Sequence, residues 1–305
     1  MKRPILLLAP LLLFCAFCPS LKAASDAPDD TAEVTVPPGK EFIYKQSNGE
    51  PQKLEVYFPA NWDPKTSKVP GVIFFHGGSW TGGNLKQFQN ACQYLASRGL
   101  VAATANYRMI PKKDRPALPS GESYKRTCIT DAKSAIRWMK QHATELGIDP
   151  QRLIVGGGSA GGHVAVLATT NPGLDDPSDS KEFDTSVVAC LLFNPAFQAA
   201  DSEDSEVDAF QHLQANTAPA ILFFGAGDNQ FKPSAEALLK QLKTLGNTGT
   251  ELWIAEGQKH GFFNHQPWQD LTLAQADRFL VAHGLLVGPG TLSPPESGEK
   301  LLKAP

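Results

Sequence analysis

The stretch Gly156-Gly157-Gly158-Ser159-Ala160-Gly161-Gly162 constrains the fold more than any other part of this sequence. An apolar run, Leu153-Ile154-Val155, precedes it, and a helical segment opens at His163. A chain that turns from strand into helix over so few residues forces the residue at the apex into strained backbone angles. Side chains two positions either side of the apex would collide, so Gly157 and Gly161 stand there and Ser159 projects from the turn. The N-terminus of the following helix aims unpaired N–H groups at negative charge developing beside the serine. A G-x-S-x-G pattern between a strand and a helix is thus a turn built to present a nucleophile.

The rest of the chain supplies a sheet for that turn. Alternating or continuous apolar runs predict strands at Glu41 to Lys45, Lys53 to Phe58, Val69 to Phe75 and Leu100 to Asn106. Four more follow at Arg152 to Gly156, Ser186 to Phe193, Ala220 to Gly225 and Glu251 to Ala255. Helical spacing marks Asn84 to Arg98, Ser123 to Leu146, Ala160 to Thr169, Pro233 to Leu245 and Trp268 to His283. Strands alternating with helices imply an α/β fold, with a mostly parallel eight-stranded sheet and helices on both faces. The expected organisation is one domain over residues 41–285, after a Pro- and Asp-rich linker at 25–40 and before a flexible tail at 286–305.

The N-terminus reads as a signal peptide over residues 1–24. Lys2 and Arg3 precede an apolar run from Ile5 to Phe17, too short to span a bilayer comfortably, and Ala23-Ala24 offers a cleavage site. This predicts export to the periplasm or the exterior, without stable membrane insertion. A net charge of −3 leaves no basic footprint for nucleic acid. Cys92, Cys128 and Cys190 lie beyond the leader. Cys190 sits in the apolar run of a buried strand and reads as core, leaving Cys92 and Cys128 as the candidate disulfide of an exported protein.

A nucleophilic serine needs a base, and the base needs an orienting carboxylate. The strand from Ala220 runs into Gly225-Ala226-Gly227-Asp228, and the strand from Glu251 into a loop carrying His260. Asp228 and His260 therefore lie just past the C-terminal ends of successive strands, where open α/β sheets assemble sites. His265 is the alternative base. Asn194, not an acid, follows the strand before Ala220, which favours Asp228. The glycine-rich turn His76-Gly77-Gly78-Ser79-Trp80 follows the third strand and suits an oxyanion hole. The backbone N–H groups of Gly78 and Ser79, with that of Ala160, are its expected donors, and Gly77 is expected to free the turn. His76 reads as a brace for the loop.

These motifs resemble those of the α/β-hydrolase esterase/lipase superfamily with an HGG-x-W oxyanion turn, and most of all its secreted acetylxylan- and feruloyl-esterase-like bacterial members. The residues carrying the resemblance are His76 to Trp80, Tyr107-Arg108, Asp131, Ala135 to Trp138, Gly147 to Pro150, Gly156 to His163, Gly225 to Asp228 and Gly257 to Phe263. The resemblance implies an α/β-hydrolase fold with Ser159, Asp228 and His260 as catalytic triad. It also slightly favours the Cys92–Cys128 pairing. Asn106 departs from an Asp that relatives often carry before Tyr-Arg. The segment between Phe193 and Ala220, where relatives often build a lid, is short and acidic, and reads by itself as a solvated loop.

The implied function is carboxylic ester hydrolysis through an acyl-enzyme, with no metal or organic cofactor. A minimal lid shifts the expected substrate from lipid toward short-acyl or carbohydrate-linked esters. Amide cleavage, by a peptidase or an arylformamidase, is the alternative on the same fold. A non-catalytic binding protein is the distant one. Phe262 and Phe263 are candidates to wall the acyl pocket.

Overall fold

A computed structural model describes residues 36–305 except 48, 121 and 294–297. The leader at 1–24 and most of the linker lie outside the described residues. The structure is organised around β3 (Val69–Phe75), whose apolar run buries both faces. Val72 and Phe74 enter one core, and Ile73 and Phe75 the other. Such a strand belongs inside a sheet covered by helices on both sides.

The sheet is completed by β1 (Lys40–Ser47), β2 (Glu50–Tyr57), β4 (Val101–Ala105), β5 (Ile148–Gly158), β6 (Ala189–Phe193), β7 (Ala220–Gly225), β8 (Glu251–Ala255) and β9 (Leu301–Lys303). Their order is β1-β2-β4-β3-β5-β6-β7-β8-β9. The six strands from β4 to β8 in that order run parallel, while β1, β2 and β9 pair antiparallel at the edges. Among the described residues the sheet has nine strands rather than the expected eight, because the supposed flexible tail supplies the last. Leu301 pairs with Ala255, Ala304 N–H donates to Leu252 O, and Lys303 bonds the carboxylate of Glu251. The flanking Gly and Pro residues hid a strand of three residues from periodicity.

One sheet face carries α1 (Gln89–Ser97) and α6 (Trp268–Ala282), whose Leu95, Phe279 and Leu280 pack on β3 and its neighbours. The other carries α2 (Lys125–Gln141), the short α3 (Ala143–Leu146), α4 (Ala160–Thr170) and α5 (Lys232–Thr244). In α2, Ile129, Ala132, Ile136 and Met139 recur at helical spacing to form its buried stripe. Gly147 ends α3 in the left-handed conformation, φ 65°, a helix stop that few other residues adopt without strain. Asn106 has a structural role, since its Oδ1 accepts the Lys53 N–H at 2.6 Å.

The expected Cys92–Cys128 disulfide is absent. Cys92 packs under α1 on one sheet face and Cys128 under α2 on the other, with the sheet between them, and both thiols are free. Stacked layers stand about 10 Å apart, too far for a bridge. Burial pushes the Cys128 and Cys190 thiols up to about 12, and Cys92 rises too. The melting temperature should therefore be the same, within about 1 °C, with and without reductant. A thiol-exchange reagent should modify all three cysteines without prior reduction, and only after unfolding. A melting transition that falls by several degrees on reduction would restore the bridge.

Candidate active site

Ser159 follows β5 directly, with φ 52° and ψ −118°. Backbone strain of this kind costs about 1–3 kcal/mol, so the surroundings must hold it. Ser159 N–H donates to Phe193 O at 2.8 Å, and Ala196 N–H donates to Ser159 O at 2.9 Å, tying the turn to the end of β6. A β-carbon on Gly157 would lie 2.4 Å from Gly161 O, and one on Gly161 2.0 Å from Phe75 O. The two glycines allow helix, strand and turn to meet this closely.

The loops after β7 and β8 bring the other two groups to the serine. His260 Nε2 lies 2.8 Å from Ser159 Oγ, and His260 Nδ1 lies 2.8 Å from Asp228 Oδ2. A carboxylate only accepts, so Nδ1 carries the ring hydrogen and Nε2 turns a lone pair toward the serine hydroxyl. Asp228 is buried, and its Oδ1 accepts the Phe231 N–H at 3.2 Å. His265 lies on the exposed side of the same loop and forms no hydrogen bond with Ser159 or Asp228.

Asn194 is the residue whose role sequence reasoning passed over. Fully buried at the end of β6, with φ 47°, it donates from Nδ2 to Asp228 Oδ2 at 3.1 Å and accepts the Gly261 N–H on Oδ1 at 3.3 Å. One amide thus joins the acid loop to the histidine loop. The only sequence signal was its place after a buried strand.

Opposite Ser159, the turn after β3 is tight. Gly78 has φ 124°, and a β-carbon there would meet Gly82 O at 2.1 Å. Ser79 and Trp80 follow, each with φ 54°. Among the described residues, the N–H groups of Gly78 and Ser79 donate to no protein acceptor, and Ala160 N–H, first in its helix, has no intrahelical one. Gly77 needs correction. Its N–H donates to Gln87 Oε1 at 2.6 Å, and the left-handed freedom belongs to Gly78. Gly77 instead permits close approach, since its β-carbon would lie 3.1 Å from that of Ser159.

His76 is buried, stacks on Tyr107 at 4.6 Å between ring centroids, and has Nδ1 2.8 Å from Gly77 O. Burial lowers its pKa, which keeps it neutral, as suits a brace. Tyr107 secures the same strand end by donating to His76 O at 2.6 Å.

The acidic segment after β6 is not a solvated loop. It folds as short 3-10 turns at Ala199–Glu203, Ser205–Val207 and Ala209–Gln211, with Asp201, Asp204 and Asp208 buried. Asp201 pairs with Lys125, Asp204 pairs with Arg126 at 2.8 Å, and Asp208 caps Phe210 N–H at 3.0 Å. Burial opposes ionisation of Asp201, yet His163 and Lys125 hold its carboxyl below the usual range.

A cavity of about 390 Å³ opens over Ser159, between Trp80, Ala196, Gln198, Phe231, His260 and Phe263. Phe263 faces this cavity. Phe262 packs edge-on against Trp268 in the core, so only one of the two phenylalanines is a wall.

A parallel sheet with this turn at its centre and these loops at its C-terminal edge defines an α/β hydrolase. The family sequence model described as BD-FAE matches residues 54–194. Apo Thermogutta terrifontis esterase 2 is 35% identical, aligned over 83% of this chain and 97% of that one, with a TM-score of 0.74. The same esterase with propionate bound superposes with a TM-score of 0.75 at 34% identity. The chain belongs to the α/β-hydrolase esterase family. A probable carboxylic ester hydrolase, LipM of Mycobacterium tuberculosis, is 33% identical over 144 residues, 46% of this chain and 31% of that protein. Carboxylesterase NlhH of the same species is 31% identical over 108 residues, 35% of this chain and 31% of that protein. The matched segments thus span less than a third of the length of either mycobacterial relative.

Replacing Asn194 by Ala removes its hydrogen bond to Asp228 Oδ2, the oxygen that also faces the imidazole, and frees the histidine loop at Gly261. The expected outcome is a kcat on p-nitrophenyl acetate lower by about tenfold, with KM little changed. An unaltered kcat in a folded variant would show that Asn194 only packs.

Proposed function

We propose that this chain hydrolyses carboxylic esters through an acyl-enzyme on Ser159. The observation that carries this reading is the continuous hydrogen-bond line Asp228–His260–Ser159, facing unpaired N–H groups across an open cavity. Ser159 Oγ attacks the ester carbonyl as its proton passes to His260 Nε2. The N–H groups of Gly78, Ser79 and Ala160 receive the oxyanion, each contributing about 3–4 kcal/mol to transition-state stabilisation by analogy with such holes. The C–O bond breaks, His260 returns the proton to the departing alkoxide, and a water activated by the same imidazole releases the acid.

The finer reading is a short-acyl or carbohydrate-linked ester, such as an acetylated or feruloylated polysaccharide. A cavity of about 390 Å³, bordered by Gln198, Gln230 and Asn264 as well as by aromatic rings, supports a small and partly polar substrate. The short turns between β6 and β7 leave the site open. Thermogutta terrifontis esterase 2 has been solved with propionate and with butyrate bound, which supports a short acyl group here. Residues 1–24 are read as the signal that exports the enzyme. Among the described residues, no helix is long and apolar enough to cross a membrane.

Ser159→Ala should lower kcat/KM on p-nitrophenyl acetate by at least about 10⁴-fold, with the melting temperature maintained. Thermogutta terrifontis esterase 2 is phosphorylated by paraoxon. Paraoxon should likewise add a diethylphosphoryl group to the Ser159 peptide here, read by mass spectrometry, and leave the alanine variant unlabelled. Full activity in that variant, or labelling at another residue, would overturn the assignment. Release of acetate from acetylated xylan, compared with long-chain p-nitrophenyl esters, tests the substrate class.

A further inference from the structure

Beside the triad, the cavity wall carries a group the hydrolytic steps do not use. Gln198 is half-buried at the start of the acidic turns and borders the cavity together with Ser159 and Trp80. Its amide orientation is dictated from behind. Lys125, buried in α2, donates from Nζ to Gln198 Oε1 at 2.8 Å and is held in place by the carboxylate of Asp201. The Asp201 backbone N–H donates to the Gln198 backbone O at 3.0 Å, and Asp201 Oδ2 accepts the Gln198 backbone N–H at 3.0 Å, so the same aspartate that holds Lys125 also holds the main chain of Gln198.

An ammonium can only donate, so Lys125 requires the oxygen of the amide and excludes the flipped orientation. The Nε2 hydrogens are left with no protein acceptor among the described residues. Lys125 Nζ also lies 3.9 Å over the Trp80 ring, and the buried Trp80 indole N–H has no acceptor either. Of these two donors only the Gln198 amide can be offered to the cavity, since the indole N–H is buried.

We propose that Gln198 is a specificity-determining residue whose Nε2, oriented by Lys125 and Asp201, donates to an oxygen in the acyl or alcohol part of the substrate. The class it selects is esters with a hydroxyl, ether or carbonyl oxygen a few bonds from the scissile carbonyl, over their hydrocarbon equivalents. Lys125 and Asp201 are positioning residues in this device. The inference rests on the ester-hydrolase reading and narrows its substrate.

Two isosteric pairs test it and separate the two sides of the ester. On the acyl side, p-nitrophenyl methoxyacetate is compared with p-nitrophenyl butyrate. On the alcohol side, 2-methoxyethyl acetate is compared with butyl acetate. The readout is the ratio of kcat/KM within each pair, so a general change in activity or in intrinsic ester reactivity cancels between enzymes.

Gln198→Glu keeps an oxygen for Lys125 but cannot donate when ionised. Gln198→Met keeps the length and loses both functions. In both variants the ether-to-methylene ratio should fall about three- to tenfold for one pair, the affected pair naming the side that Gln198 addresses. Circular dichroism and thermal melting establish that each variant is folded. A purely structural role would leave both ratios at the wild-type value, and that result overturns the proposal alone. Wild-type enzyme that cleaves none of the four esters overturns the ester-hydrolase reading and this one with it.

Discussion

The backbone of Ser159 is held where a serine does not rest unaided, and the rest of the site depends on that constraint. The hydrogen bonds from Ser159 N–H to Phe193 O and from Ala196 N–H to Ser159 O fasten the strained residue to the end of β6. Contacts of that length require β5 and β6 to run in register beside each other, as the pairing of Gly158 with Phe193 provides. The doubly buried apolar strands therefore do more than fill a core. They fix the ends of β3, β5, β6, β7 and β8 within reach of one another, and each of those ends carries one part of the site.

How much of this was legible in the sequence follows from how local each part is. Ser159, its glycines and the turn at His76 to Trp80 are short linear patterns at strand ends, readable because steric limits act within a few residues. Asp228 and His260 were readable for a related reason, since each follows an obvious apolar strand in the expected order. The role of Asn194 was not, because its meaning lies in contacts with Asp228 and Gly261, 34 and 67 residues away. The same holds for Cys92 and Cys128. Their arithmetic suited a bridge, but only the topology shows that α1 and α2 cover opposite faces. The β9 strand escaped notice because Leu301–Lys303 is too short to display a period and is defined by its partner.

The acidic segment after β6 makes the same point in electrostatic terms. Its run of carboxylates looked like a solvated loop because charge along a sequence carries no record of what it will face. In the fold, Asp201 meets Lys125 and Asp204 meets Arg126, both on α2, so the turns are pinned to that helix by ion pairs. Burying such pairs yields little net stability, since desolvation offsets much of the attraction. What they supply here is position. The pinned turns set Gln198 against the cavity and, through Lys125, support the face of Trp80 in the oxyanion turn.

That support bears on catalysis because Ser79 and Trp80 both sit in the left-handed region, in consecutive positions without glycine. A turn so strained opens toward relaxed angles unless its side chains are anchored. Trp80 is anchored by burial, by the edge-on ring of His163 at 5.3 Å and by the Lys125 ammonium over its face. The donors of an oxyanion hole are useful only when they need no reorganisation as charge develops. The buried charges beneath the turn thus connect the acidic segment to the preorganisation of the N–H groups that face Ser159.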